Sequence, residues 1–597
     1  MGKAIIKYNN PKKEEDEEFY EKFIECLKSG DEFKIYDAVV EGNIDIKEIY
    51  ERIKNIKDEE LKGATLEKKD YKIIIKININ VYMVKVKFKG EFKMCYSTNF
   101  EEPNIRTIFG GNAFFTNSTF EKGANFDYSI FKKDAVFWLS KFGDKGSVKF
   151  RYSIFEGEAQ FNNSVVGFRI HFMNSIFKGK ADFSSAIFKH AEFNHAIFEK
   201  DADFKNTISG KLEFDKSTFE DVAYFRDIYF GILSFVDCTF KGMAEFRKGR
   251  IRFKKYEWYN NRYYVKRQDK LRAKLISNTI EYSLAIFNNA QFLNKHSKIK
   301  NFQLSKTSFL MTDVREIMLL CDIKKEKILS HMLFENKLKE SRDNKNKPDE
   351  SKDNEKTENE NKTYYHILKN RGYFYFNELI EDINYNSVLA EYRNLRISVE
   401  DNMTYEEASN LYKMEMEFKK KYSKNNFEKL AIWFYNLVSN CGESVEISVL
   451  CICLAIVLLP LGALTYNYHF SHKYECFLFF LPFIILFSNW LINQIVKDKK
   501  IKLNMNSKIK NFILLYVPVI FWSALIIYYG YYLYTKYPLL IRDTITAFFQ
   551  LKIDDAMIEG TDNYKHFMKN WEPLIRVISL ILLGNLYIAL RRRLSRK

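Results

Sequence analysis

The sequence lacks the patterns that would place it among secreted, zinc-stabilised or catalytic proteins. Its eight cysteines form no CxxC pair and do not stand at zinc-ligand spacing with histidines, so neither a disulfide framework nor a structural metal is expected. The N-terminus has no apolar run of signal-peptide length and turns acidic at once. No P-loop, GxSxG, HExxH or suitably placed GxGxxG motif occurs. We therefore expect no enzyme, no cofactor and no export.

The charge of the chain says little about its partners. The 597 residues are enough for two or more domains, and the formal net charge is +17. The excess is spread through a chain rich in Lys, Asn, Ile, Phe and Tyr, which looks like a compositional bias of the genome. Residues 113–253 hold 21 Lys and Arg against 18 Asp and Glu, a net charge of only +3. Nucleic acid is therefore not an expected partner.

A large aromatic residue recurs every five or six positions, as in KADFSSAIFKHAEFNHAIFEKDADF at residues 180–204. A small residue, mostly alanine, stands two positions before many of them. This period fits neither an amphipathic helix nor an alternating strand. It fits a square coil of about twenty residues, in which each small-x-large pair points inward and stacked coils pair as parallel strands. The predicted repeat core includes Phe183, Phe188, Phe193, Phe198, Phe204, Phe214, Phe219 and Phe225.

The repeat resembles the pentapeptide-repeat family, whose members form right-handed quadrilateral β-helices. The resemblance covers at least residues 113–253, with Val166 and Ser209 as weak rungs. The fold class that it implies is a β-solenoid followed by an α-helical hairpin and an α-helical membrane domain of about four spans. The predicted domains are a helical N-terminal segment at 1–66, the β-helix at 67–320 with an insertion at 254–281, a disordered linker at 338–364, an αα-hairpin linker domain at 365–440, and a transmembrane domain at 441–597.

Helical periodicity returns at residues 388–423, with a turn at 401–404, and predicts an αα-hairpin. The strings YRNLR and EASNLYKMEME are similar to a segment that lies between the β-helix and the membrane in a group of bacterial pentapeptide-repeat proteins. Its Arg and Glu residues are expected to form a salt-bridged, solvated face.

Four apolar stretches near the C-terminus are able to cross a bilayer: 447–466, 476–496, 512–534 and 574–590. Lysines precede the first stretch and follow the second, and the chain ends in RRRLSRK, which predicts that these three segments are cytoplasmic. We therefore expect a multi-pass protein of the cell (inner) membrane, with the lipid membrane as a partner and with both termini and the β-helix in the cytoplasm.

The loop before the last stretch contains LLIRDTITAFFQLK, which is too short to span and is expected either to lie at the interface or to dip in as a pore half-helix. In the family resembled, a turn like CGES at 441–444 and an ending like ALRRRLSRK bracket a channel-like arrangement. Cys441 stands where that family usually has tyrosine, and no TVGYG string supports potassium selectivity. The candidate pore-lining residues are Asn585, Gly584, Gln550 and Thr546.

Two classes of function stay open. One is a channel or pore-forming protein whose cytoplasmic β-helix senses a partner or assembles subunits. The alternative is a membrane-anchored interaction scaffold without conductance. A pore built from so few helices per chain needs several chains, so a homo-oligomer is expected, and an unknown protein could bind the β-helix. His190 and His195 are five apart and are expected to be surface histidines on adjacent faces rather than a metal pair.

Overall fold

The computed structural model describes residues 6–7, 15–69, 72–97, 103–248, 284–315, 317–322, 327–343, 380–402, 404–442, 444–467, 531, 535, 538–549 and 562–594. The chain divides into two compact units, Met1–Glu415 (the solenoid unit) and Met416–Lys597 (the helical unit). Several predicted features lie outside the described residues: the insertion at 254–281, linker residues 344–364, the span at 476–496, the span at 512–534 apart from Tyr531, and Gln550.

Strands stacked in four faces build the β-helix of the solenoid unit, and all of their pairings are parallel except Ala64–Lys69 with Lys72–Ile77 and Cys95–Tyr96 with Ile105–Phe109. The first three faces belong to one continuous 25-stranded sheet and the fourth is an 11-stranded sheet. Ala181 pairs with Ala202, and Ala202 with Ala223, so one coil takes 21 residues. This agrees with the predicted coil of four short segments.

The strands of the four faces have the following bounds. Face one contains Ile6–Lys7, Phe33–Tyr36, Val81–Val84, Ala113–Phe114, Ala135–Val136, Ala159–Gln160, Ala181–Asp182, Ala202–Asp203, Ala223–Ser234, Ala244–Lys248, Lys298–Gln303 and Met318–Asp322. Face two contains Val39–Val40, Lys87–Phe88, Thr119–Phe120 and Lys141–Phe142. Four longer strands run through face two and turn the corner into face three: Val165–His171, Ile187–Glu192, Ile208–Glu213 and the second half of Ala223–Ser234. Face three contains Ile44–Asp45, Phe92–Lys93, Ala124–Asn125, Val148–Lys149, Leu284–Ile286 and Thr307–Ser308. Face four contains Ala64–Lys69, Lys72–Ile77, Cys95–Tyr96, Ile105–Phe109, Ile130–Phe131, Ile154–Phe155, Ile176–Phe177, Ile197–Phe198, Thr218–Phe219, Thr239–Phe240 and Gln291–Phe292.

The phenylalanines fill the interior of the coils. The eight predicted core residues, Phe183 to Phe225, are at most 1% exposed. Phe193 stacks on Phe214 with ring centroids 4.9 Å apart, and Phe198 on Phe219 at 4.7 Å. The stacks also meet edge to face, as in Phe183 with Phe193 at 5.0 Å. Since neighbouring rings favour these geometries, the period in the sequence is the period of the packing.

Phe188 differs from the other rungs. It is fully buried, but its ladder partners are Val166 below and Ser209 above. Those two residues are the rungs where the predicted aromatic is missing. Phe188 therefore has no ring stacked on either side of it within its own column.

The corners after faces one and three use the left-handed backbone region. Two residues after the inward phenylalanine, φ is 58° at Asn163 and 57° at Leu139. Asparagine adopts this region readily, whereas leucine does so at a steric cost. One residue further on, a buried serine often donates to a phenylalanine carbonyl of the preceding coil, as Ser153 Oγ does to Phe126 O at 2.7 Å. The corner is thus held by backbone conformation and by a ladder of side-chain hydrogen bonds.

The β-helix begins earlier than the boundary at residue 67 predicts. Helices α1 (Glu15–Ser29) and α2 (Ile46–Ile53) do lie in the predicted helical segment 1–66, but Phe33–Tyr36 between them pairs in parallel with Val81–Val84. Strands of two to four residues leave too little alternation to be read from sequence. Phe23 of α1 packs on Phe33 with ring centroids 4.7 Å apart, so the helices cover the first coil.

The other end of the β-helix is covered by α3 (Leu329–Asp343) and α4 (Tyr385–Asp401). The backbone N–H of Phe309 donates to Glu391 Oε1 at 2.6 Å, and His331 Nδ1 lies 2.8 Å from the Tyr392 hydroxyl. Residues 338–343, predicted as disordered linker, are helical because Leu329 and Leu333 anchor α3 in this cap.

The predicted αα-hairpin corresponds to α4 and α5 (Tyr405–Tyr422), and α6 (Asn426–Ser439) follows it. Its charged face is not wholly solvated: Glu391 and Glu415 are 1% and 2% exposed, and Arg393 Nε lies 3.2 Å from Glu415 Oε1. The boundary between the two units falls inside α5. The hairpin therefore does not form a separate linker domain, because α4 belongs to the cap of the β-helix.

The helical unit contains α6, α7 (Val445–Asn467), α8 (Pro538–Phe548) and α9 (Asp562–Leu594). Their apolar contacts form one cluster whose buried members are Val438, Ile452, Ala547, Phe548, Ile575 and Leu582. In the described part of the chain, one helical stretch, Met568–Arg591, is long and apolar enough to cross a membrane, and Val445–Ile456 is a shorter apolar stretch. The predicted spans at 447–466 and 574–590 lie inside α7 and α9 respectively.

Candidate functional site

A cluster of charged side chains lies on the outside of the solenoid unit, where faces two and three meet. It consists of His171, His190, Glu192, Lys211 and Glu213, which we call the His–Glu cluster. The residues come from three successive strands, Val165–His171, Ile187–Glu192 and Ile208–Glu213.

The repeat itself brings these side chains together. His171 pairs with Glu192, and Glu192 with Glu213, so the three stand in one row across the strands. His190 pairs with Lys211 in a second row two residues away. The intervening Ala191 and Leu212 are buried and point inward, so the flanking residues of each strand point outward. The outward rows are therefore fixed by the same register that stacks the phenylalanines.

Short polar contacts connect the cluster. His190 Nε2 lies 2.7 Å from Glu213 Oε2 and 3.1 Å from Glu192 Oε1. The other oxygen of each carboxylate is also held: His171 Nδ1 lies 2.7 Å from Glu192 Oε2, and Lys211 Nζ lies 2.9 Å from Glu213 Oε1. Each carboxylate thus directs one oxygen towards the same imidazole nitrogen.

The cluster is partly withdrawn from solvent. The exposed side-chain fraction is 2% for Glu213, 12% for His190 and 14% for Glu192. Burial by itself raises the pKa of Glu192, but the hydrogen bond from His171 and the neighbouring charges of His190 and Lys211 hold that pKa below its usual value. Glu192 is therefore a carboxylate at neutral pH.

Asp215 lies beside the cluster and is fully buried. Burial raises the pKa of Asp215 to about 7, although it accepts hydrogen bonds from Ser234 Oγ and, at 2.9 Å, from the backbone N–H of Val236. The negative charge of Glu213 raises this pKa further.

Sequence reasoning missed this cluster. The sequence predicts His190 and His195 as surface histidines on adjacent faces. His195 is exposed at the next corner, where φ is 59°, but only 12% of the His190 side chain is exposed, because Glu192 and Glu213 pack against it. The signal that could have found the cluster is the spacing of 21 between His171, Glu192 and Glu213. That spacing becomes meaningful only when the length of a coil is known.

The candidate pore-lining residues that the structure describes lie on two helices, and their hydrogen bonds stay within those helices. Thr546 lies in α8, and its Oγ1 donates to Arg542 O of the same helix at 2.8 Å. Asn585 lies in α9, and its Nδ2 donates to Ile581 O at 2.8 Å. A Cβ added at Gly584 would meet no atom within 4 Å, so this position on α9 is open.

Polar residues are buried where α8 packs against α7 and α9. Asp543 is 3% exposed and its Oδ1 lies 3.0 Å from Arg542 Nε, and Thr544 is fully buried. Among the described residues, the Thr544 hydroxyl has no hydrogen-bond partner. An unpaired buried hydroxyl costs free energy, so packing alone does not account for the burial of Thr544 in α8.

Comparisons with known proteins agree with the solenoid. The family model of pentapeptide repeats matches residues 168–208 and 183–228, so this part of the solenoid unit consists of pentapeptide repeats. It is 38% identical over 585 residues to "Uncharacterized protein MJ1147" of Methanocaldococcus jannaschii, which covers 97% of this chain and 96% of that protein. The chain belongs to the same family as that protein. No solved structure matches it.

Proposed function

We propose that the chain is a multi-pass protein of the cell membrane, in which a cytoplasmic pentapeptide-repeat β-helix is coupled to a channel-like helical domain. The observation that carries the proposal is the short helix α8, which packs against both α7 and α9 and buries Asp543 and Thr544. A buried ionisable residue among apolar helices of this kind most often belongs to a pathway for ions or solutes.

The exposed surface of α9 supports a membrane location. Only 28% of its most apolar window is buried, and the side chains that point outward include Leu574, Val577, Leu580, Ile581 and Ile588. A helix of a soluble protein would carry polar residues on this face. An apolar exposed face of this kind is more stable in contact with lipid than in contact with water. The basic end of the chain then anchors α9 at the cytoplasmic surface.

Conduction requires several chains. Among the described helices, one short helix and its two neighbours are too few to enclose a path. We therefore propose a homo-oligomer in which Asn585, at the edge of the outward face of α9 beside the buried Leu582 and Ala589, lines the central path. The rest of that face meets lipid, and α8 narrows the outer mouth of the path. The β-helix would assemble the subunits or receive a protein partner. No catalytic role is proposed for either unit.

Ion flux through liposomes that contain the purified full chain tests this proposal. We expect flux in the wild type and an altered flux in Asn585→Leu, which removes one polar group from an apolar helix while insertion is unchanged. Leu580→Ile, on the part of α9 that is turned away from Asn585, is the matched control and should conduct like the wild type.

The scaffold function is the alternative that the same experiment distinguishes. A chain that inserts and assembles but shows no flux at any potential would contradict the channel. The β-helix would then be the functional part, and the helical unit would serve as its membrane anchor.

A further inference from the structure

The His–Glu cluster contains an arrangement that hydrogen bonding alone satisfies poorly. A neutral imidazole has one N–H, yet His190 Nε2 faces a carboxylate oxygen of Glu213 at 2.7 Å and one of Glu192 at 3.1 Å. One proton cannot be donated fully to both. Two anionic oxygens are thus brought close together around a nitrogen that, when deprotonated, is itself an electron-pair donor.

The remaining atoms of the two carboxylates are held in place. His171 fixes the second oxygen of Glu192, and Lys211 fixes the second oxygen of Glu213. Contacts of this kind orient the ligands of a metal ion from the next layer of residues. They leave one oxygen of each carboxylate next to His190 Nε2.

We propose that His190 Nε2, Glu192 Oε1 and Glu213 Oε2 bind a divalent transition-metal ion, with Zn²⁺ as the best match. The three residues offer ligand atoms within 4.8 Å of one another. Zinc bonds of about 2.0–2.2 Å in tetrahedral geometry place ligand atoms about 3.3 Å apart, so small side-chain rotations would open the cluster to the ion. Three protein ligands leave a fourth position free.

Charge and access also suit a cation. The two carboxylates neutralise a divalent ion, and Lys211 pairs with the oxygen of Glu213 that is not needed as a ligand. His190 and Glu192 keep 12% and 14% of their side chains exposed, which gives an ion access from solvent. Because the register of adjacent strands fixes the spacing of the rows, the three ligand residues are already neighbours before the ion binds. This site lies on the β-helix and does not depend on conduction.

The test is equilibrium dialysis of the full chain in detergent, purified without a polyhistidine tag, against Zn²⁺ alone, followed by metal analysis. We expect one tightly bound Zn²⁺ per chain in the wild type. His190→Ala should abolish that binding, and His171→Ala should weaken it about 10- to 100-fold, as loss of an orienting residue does. His195→Ala, an exposed histidine one corner away, is the matched control and should bind like the wild type.

A second measurement guards against a folding defect in the variants. Co²⁺ in place of Zn²⁺ should give the visible absorption of a tetrahedral site in the wild type and in His195→Ala. Glu213→Gln, which keeps the size of the side chain, should lose that absorption while retaining the β-sheet circular dichroism. Absence of stoichiometric Zn²⁺ in the wild type, or unchanged affinity in His190→Ala, would overturn the proposal.

Discussion

Truncation of Phe193 to alanine tests the packing of the solenoid most sharply. Phe193 is fully buried, stacks on Phe172 at 4.8 Å and on Phe214 at 4.9 Å, and meets Phe183 edge to face at 5.0 Å. A buried Phe→Ala change costs about 3–5 kcal/mol, and the loss of several ring contacts places Phe193→Ala towards the upper end of that range.

Phe188→Ala is the internal comparison for this prediction. Phe188 is equally buried, but it lies between Val166 and Ser209 and loses no stacked ring in its column. We therefore expect a smaller cost, about 3 kcal/mol. Glu199→Gln, at an exposed position, should change stability by less than about 0.5 kcal/mol.

Amide hydrogen exchange with mass spectrometry is the appropriate assay, because the chain has two units and a single unfolding midpoint would mix them. In peptides from strands Ile187–Glu192 to Ile208–Glu213, Phe193→Ala should speed exchange roughly 1000-fold or more and Phe188→Ala roughly 100-fold, at about 1.4 kcal/mol per factor of ten. If Phe193→Ala exchanged like the wild type, or if Phe188→Ala were the more damaging change, the stacked-column account would be refuted.

Three further predictions concern the corners, the cap and the topology. Leu139→Asn should stabilise its coil by about 1 kcal/mol, and Asn163→Leu should destabilise its coil by a similar amount, since both residues have φ near 57°. Amide hydrogen exchange in the two coils measures both effects, and two changes of the same sign would contradict the prediction. Burial raises the pKa of Glu391 to about 7 from an ordinary 4.5, so the folded cap binds the extra proton. Stability of the cap should therefore fall as the pH rises from 4.5 to 7, by up to about 1.4 kcal/mol per pH unit, and Glu391→Gln should remove the slope in exchange measured across that range; a slope unchanged in that variant would assign it to other groups. A topology reporter fused after Lys597 should be cytoplasmic, because the last residues are basic, and an externally accessible reporter would invert the proposed orientation.

The solenoid could be predicted from the sequence because its packing repeats along the chain. Each inward phenylalanine is matched by a partner one coil away, so a period in the sequence is a stack in the structure. The first coil could not be predicted in the same way. Its strands, such as Phe33–Tyr36, are short and lie between two helices, so no period accumulates there.

The cap and the His–Glu cluster depend on contacts that sequence patterns do not contain. Glu391 receives a hydrogen bond from Phe309, 82 residues earlier, and nothing local distinguishes it from a solvated glutamate. His171, Glu192 and Glu213 meet because the coil has 21 residues. The sequence alone gives the length of a coil only as about twenty residues, so it does not determine which outward side chains of successive strands lie next to one another.

Flotation of the full chain after an alkaline carbonate wash of membranes tests whether α9 lies in lipid, because it separates an integral membrane protein from both a peripheral protein and an aggregate. We expect the chain to float with the lipid, and a variant in which Leu580, Ile581 and Ile588 of α9 are replaced by lysine to be washed off or to fail to insert. Recovery of the wild-type chain in the carbonate supernatant would contradict the account and would leave the apolar face of α9 for a protein partner instead.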